Sequence, residues 1–399
     1  MSEEDLSSPS ESTALAPKQE FADESPFAAF AFRLNVREWT IVFIVVLIVI
    51  LLTPVAWKKV ERFETSPDYR IPYSLSKDYW LYNRRLSEVA SEKPVFVIGD
   101  SVVWGEYVTA NGTLSHHLSE QAPGKKQFIN AGVNGLFPLA LEGLVRYYGS
   151  AIKNQKVALH CNLLWLSSPR ADLSSAKEEK FNHPRLVPQW SPALPCYRAT
   201  VEERLEICLE RQVSFLQWVN HLQNAYFDQM SIYAWTLADD GDYPPVYPNA
   251  NKNPILRIRT VTPSEPLNDP QRGILSARHK PWSTTGVGTQ NFEWVKLEDS
   301  LQWRALVKLV SLLEERGNDV LIIVGPFNEH IMTPENAAMF RQLQTEAVEQ
   351  IRHGRTVVVP RPLASELYGD ASHPLTEGYR ILAQQLLEDA EFLRWLNQP

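Results

Sequence analysis

Between Thr40 and Trp57 the chain reads TIVFIVVLIVILLTPVAW, eighteen residues without a charged side chain. A helix rises about 1.5 Å per residue, so this run covers roughly 27 Å, close to the hydrocarbon thickness of a bilayer. A helix in a soluble core is seldom apolar on every face. Trp39 and Trp57 bracket the run, where interfacial aromatics sit. The run is too long for the apolar region of a cleaved signal peptide, and no small-residue cleavage site follows it. The expected organisation is therefore a single transmembrane helix at 37–58, meeting the lipid bilayer through residues 40–57. It is preceded by a disordered acidic tail at 1–36, rich in Ser, Glu, Pro and Ala. Flanking charge alone, Arg33 and Arg37 before against Lys58, Lys59 and Arg62 after, mildly favours a cytoplasmic C-terminal part.

Net charge narrows the partners. Lys and Arg number 39 against 47 Asp and Glu, a net charge of −8. The first 38 residues carry three basic and eight acidic side chains, so the remainder is close to neutral. An acidic-to-neutral chain is a poor match for nucleic acid, which needs a basic face. Three cysteines, Cys161, Cys196 and Cys208, are too few for a disulfide scaffold. Cys196 and Cys208 are close enough in sequence to close one small loop in an oxidising compartment, and three buried free thiols are the alternative. Neither a CxxC pair nor an HExxH motif occurs, and no metal or cofactor is expected.

Residues 59–90, charged and aromatic, read as a stalk or linker leading into a first helix. From Pro94 short apolar runs alternate with helical periodicity. VFVIGD, QFINAGVNG, VALHCNLLWL, VLIIVGPF and TVVVPRP are the strand-like runs. LQWRALVKLVSLLEERG is a helix that stops at Gly317. Such alternation predicts an α/β fold with a mostly parallel sheet covered on both faces. It is interrupted at about 170–300, read as a large insertion on one sheet edge. This interval holds one helical stretch, VEERLEICLERQVSFLQWVNHLQ, and a loop-like segment, DDGDYPPVYPNANKNP.

Three short motifs carry chemistry. Ser101 ends an apolar strand in VFVIGDSVVWG, and in open parallel sheets ligands meet the carboxyl ends of the strands. Taken alone, Gly-Asp-Ser is also an ordinary turn with a helix cap. In DASHPLTEGYRILAQQL, Asp370 and His373 stand three apart just before a helix opened by Pro374. This spacing lets a carboxylate hold one ring nitrogen while the other accepts a serine proton; an Asp turn beside a surface histidine fits equally. Acyl transfer also needs donors aimed at a developing oxyanion. The Ser101 N–H, the Gly135 N–H in NAGVNG and the Asn162 amide in HCNLL are the candidates. Separately, Gly135 reads as a turn glycine and Asn162 as a strand cap.

In the order Ser, Gly, Asn, Asp-x-x-His, these blocks resemble the SGNH (GDSL-type) hydrolase superfamily. The resemblance covers about residues 94–387, without most of the insertion. It departs from the family pattern where Gly-x-Asn-Asp is usual, since this chain has His160, Cys161, Asn162 and Leu163. The resemblance implies a flavodoxin-like three-layer αβα sandwich over 91–399. It assigns Ser101 as nucleophile, His373 as base, Asp370 as the orienting acid, and Ser101, Gly135 and Asn162 as the oxyanion hole. Asn328, Glu329 and His330 in GPFNEH follow a strand and are possible pocket residues, an ordinary loop being the alternative. His116 and His117 are expected on a helix surface and His160 beneath the site. The aromatics at 235–247 and 282–303 are either a sugar-stacking platform or core.

Anchored proteins similar to this one include accessory proteins of polysaccharide O-acetylation and teichoic acid D-alanylation, which work beside a multi-pass membrane acyltransferase. The resemblance therefore implies an anchored O-acetyltransferase or acylesterase acting on a cell-envelope or exported glycan, its catalytic domain outside the cytoplasm. An anchored esterase or lipase cleaving small esters or lipids is the alternative, as is a non-catalytic scaffold that keeps the fold.

Overall fold

The computed structural model describes residues 34–61, 69–227, 268–269, 273–274 and 279–398. Most of the expected tail, and the segments 235–247 and DDGDYPPVYPNANKNP, lie outside the described residues. Two units divide the chain, 1–50 and 51–399.

Helix α1 spans Val36–Val60 and is long and apolar enough to cross a membrane. Only 6% of its most apolar window is buried, and Phe43 and Leu51 are 66% and 61% exposed. Each such side chain left in water forgoes about 1.5–3 kcal/mol of burial, so the helix suits an apolar surrounding rather than solvent.

In the second unit, five short runs form one all-parallel sheet: β1 Val95–Ile98, β2 Phe128–Asn130, β3 Lys156–Cys161, β4 Asp319–Val324 and β5 Thr356–Val358. Their order is β2-β1-β3-β4-β5. Val95 pairs with Phe128 on one side and Lys156 on the other, and the β3–β4 register runs from Lys156↔Asp319 to Cys161↔Val324. β1 is buried at all four positions. Its residues alternate between two cores: Phe96 and Ile98 belong to one, Val95 and Val97 to the other. Burial on both faces is why the strands read as unbroken apolar runs without period-two alternation. Parallel pairing puts all five carboxyl ends on one rim, where Ser101, the Asn134–Gly135 turn, Asn162, the Gly325–Asn328 loop and, beyond β5, Asp370 emerge.

The insertion leaves from β3 and returns through β4. Both are internal strands, so it does not hang on a sheet edge. Its helical stretch is two helices, α6 Val201–Gln212 and α7 Ser214–Tyr226, separated by Val213 in an extended conformation. Gln217 donates to the Arg211 carbonyl, covering an acceptor that the break leaves free.

Residues 69–90 differ most from the expected stalk. Helix α2, Tyr79–Val89, buries Tyr79, Trp80, Leu81, Tyr82 and Leu86 in the second unit. Their charged neighbours are taken in with them. Glu61 is bonded by Arg84, Tyr226 and His221, and the His221 Nε2–Glu61 Oε1 distance is 2.9 Å. His221 Nδ1 donates to Asp78 Oδ2 at 2.7 Å, while Asp78 Oδ1 caps α2 through the Leu81 N–H. Trp80 stacks on the His221 ring at 4.3 Å. Burial works against the charged form of His221, but Asp78 and Glu61 outweigh it and push its pKa up to about 9.

Candidate active site

Ser101 is the first residue of α3, a four-residue helix Ser101–Trp104 set directly behind β1. Asp100 caps it by accepting the Val102 N–H at 3.0 Å. The turn reading of Gly-Asp-Ser is thus also correct, and it places the serine. At the far end Gly105 takes φ +89°, where an added Cβ would stand 2.7 Å from Thr113 and 2.9 Å from the Arg70 guanidinium. Buried Arg70 donates to the Trp104 and Gly105 carbonyls, a cation on the negative end of the helix.

Asp370 and His373 fold as the spacing predicts. The backbone N–H groups of Ser372 and His373 donate to Asp370 Oδ1 at 2.9 and 3.0 Å, closing a turn on the carboxylate. His373 Nδ1 lies 2.8 Å from both Asp370 oxygens, and Nε2 lies 2.8 Å from Ser101 Oγ. An ionised carboxylate accepts only, so Nδ1 carries the proton and Nε2 is left to accept from the serine hydroxyl. Burial alone would raise the Asp370 pKa, but the imidazole and these donors hold it at about 2. The carboxylate is therefore ionised throughout the neutral range.

Two residues unassigned by sequence complete the arrangement. Tyr107 donates its hydroxyl to Asp370 Oδ2 at 3.2 Å and sets its ring edge-on to His373 at 5.6 Å. Burial, then the Asp370 charge, pushes its pKa up to about 12, so it remains a donor. Its φ of +66° is unusual for a tyrosine, and no sequence pattern announces it. Trp165 donates its indole N–H to Asp100 Oδ2 at 2.9 Å. Burial opposes the Asp100 charge, but His160, the Asn162 amide and His373 outweigh it and bring the carboxyl to about 2.

The candidate oxyanion donors share the rim. The Ser101 N–H stands at a helix start, where no intrahelical acceptor exists. Asn162 caps the turn after β3 through Leu164 and gives one amide hydrogen to Asp100 at 2.9 Å, so Asp100 orients it in place of the missing flanking residues. Gly135 takes φ +74°, and an added Cβ would stand 2.9 Å from the Asn182 amide. Its loop is pinned by buried His183, which donates Nε2–H to the Asn134 carbonyl and accepts from Tyr79. Burial lowers the His183 pKa to about 4, leaving it neutral.

The GPFNEH residues divide. Fully buried Asn328 donates to the Asp370 carbonyl and, through its backbone N–H, to that of Ala371, both at 3.0 Å. It braces the acid loop. Glu329 pairs with Arg341, and His330 lies 3.3 Å from the Leu363 carbonyl. His160 is buried beside the Ser101 turn, 3.7 Å from Asp100. His117 is buried rather than on the helix surface. Trp294 and Trp303 hydrogen-bond Asn336 and Gln350 and pack in the interior, Trp294 against Phe340. All three cysteines are free. Among the described residues, no cluster of His, Cys, Asp or Glu fits a metal ion.

The chain matches no protein-family model, and a comparison with curated proteins finds no match.

Proposed function

We propose that the chain is a membrane-anchored serine acyl-transfer enzyme of the SGNH type, working on a cell-envelope or exported glycan. The observation that carries this reading is His373, hydrogen-bonded at once to Ser101 Oγ and to an ionised Asp370. The strand order β2-β1-β3-β4-β5, with both faces of β1 buried, agrees with a flavodoxin-like three-layer sandwich. Helix α1 supplies the anchor, with the catalytic domain outside the cytoplasm. A multi-pass acyltransferase in the same membrane is the proposed source of acyl groups.

In the first half-reaction Ser101 Oγ attacks the donor carbonyl as its proton passes to His373 Nε2. Asp370 stabilises the imidazolium, and the N–H groups of Ser101, Gly135 and Asn162 receive the oxyanion. Collapse breaks the ester bond, and the leaving alcohol takes the proton back from His373. In the second half a glycan hydroxyl attacks the acyl-serine and gives its proton to His373, which returns it to Ser101 Oγ.

Transfer and hydrolysis differ only in that second alcohol. Purified protein given p-nitrophenyl acetate and an oligosaccharide mixture is expected to yield acetylated sugar in proportion to the acceptor. Free acetate alone, at every acceptor concentration, would leave an anchored esterase. No serine-dependent turnover would leave a scaffold.

A further inference from the structure

A groove of about 570 Å³ runs between α5 (Pro138–Tyr148), α8 (Leu301–Glu315), α6 and the loop at 188–192. No residue of Ser101, Asp370 or His373 lines it. Arg146, Arg211, Arg304 and Lys308 do, against the single acid Glu142. In a chain of net charge −8 this is a local reversal of sign. Three of the cations are already engaged: Arg146 pairs with Glu142, Arg211 donates to the Arg185 and Val187 carbonyls while lying over Tyr147 at 4.2 Å, and Arg304 gives one N–H to the Glu298 carbonyl at 3.1 Å, which leaves its other guanidinium donors for a ligand. Arg304 and Lys308 are exposed, and Lys308 has no ion-pair partner among the described residues. They sit one helical turn apart, a pitch of about 5.4 Å that is comparable to one pyranose ring. At the mouth Trp190 is 52% exposed, with the Arg204 guanidinium 5.7 Å from its ring centre. An exposed indole fixed by a cation is a flat platform that costs little ordering when a sugar face stacks on it.

We infer that this groove binds an anionic glycan, with acidic groups on successive sugars meeting Arg304 and Lys308 and one sugar ring stacking on Trp190. The inference rests on the glycan reading above for its role: the groove would hold the polymer while the rim acts on it. A nucleic acid strand has a similar charge and also stacks, but a chain of net charge −8 repels a long polyanion more than a short run of sugar acids.

The test is titration of the full chain in detergent with fluorescently labelled hexagalacturonate. Saturable binding is expected, weakened at least tenfold in the double variant Arg304→Gln/Lys308→Gln and by added salt, and weakened in Trp190→Ala. Both charge positions are exposed on one helix, so the fold is retained. Ser101→Ala is expected to bind as the native protein does, which separates this inference from catalysis. Absence of binding, or equal binding by the double variant, would overturn it even if serine-dependent esterase activity persists. Equal affinity for neutral cellohexaose would remove the charge argument, and tighter binding of oligothymidylate would give the groove to nucleic acid.

Discussion

Replacing Ser101 by alanine is expected to lower turnover of p-nitrophenyl acetate by about 10⁴–10⁶-fold and to leave the melting temperature almost unchanged. In the proposed mechanism this hydroxyl is the atom that attacks, and among the described residues no other hydroxyl is hydrogen-bonded to His373 Nε2. Cys161, the nearest thiol in sequence to the rim, is buried and its pKa is pushed up to about 12 by burial and Asp100, so it is not a nucleophile at neutral pH. Asp370→Asn is expected to cost about 10⁴-fold in kcat, because an amide no longer selects the tautomer that leaves Nε2 free. Similar losses in both variants would indicate one unit. A loss of only a few-fold in Ser101→Ala would mean that the measured turnover comes from another site.

The second large effect is on stability. His221 is fully buried between Asp78 and Glu61, with Arg84 completing the set. His221→Leu removes the cation between two buried carboxylates and is expected to cost about 3–5 kcal/mol, or roughly 4–7 °C in melting temperature. The folded pKa of about 9 lies above the unfolded value of 6.5. The stabilisation is therefore whole below pH 6.5, declines as pH rises from 6.5 to 9, and is gone above that. The shift corresponds to about 3 kcal/mol. Melting curves of the native protein are expected to fall across that window, and those of His221→Leu to be flatter. Parallel pH profiles would mean that His221 is neutral in the folded protein.

What could be read from the chain, and what could not, follows from the range of the forces involved. The five strands were visible because burial on both faces writes an unbroken apolar run. Asp370 and His373 were visible because their contact is local, three residues apart. Val213 hid the break between α6 and α7, since an apolar β-branched residue fits either a helix or an extended link. The stretch at 69–90 looked like a stalk because its Tyr, Trp and Arg residues gain their burial from partners far away: Asp78 meets His221 143 residues on. Tyr107 meets Asp370 263 residues away and does so from a left-handed backbone conformation. Asn328 follows a strand as a pocket residue would, yet its amide donates to the acid loop, a direction set by the sheet and not by its sequence neighbours.

The most direct measurement is covalent. Native protein in detergent, treated with a fluorophosphonate and digested, is expected to carry the label on Ser101 alone, with labelling lost in Ser101→Ala and slowed in His373→Ala. Label on a different residue, or undiminished labelling of Ser101→Ala, would contradict a nucleophile at position 101 activated by His373.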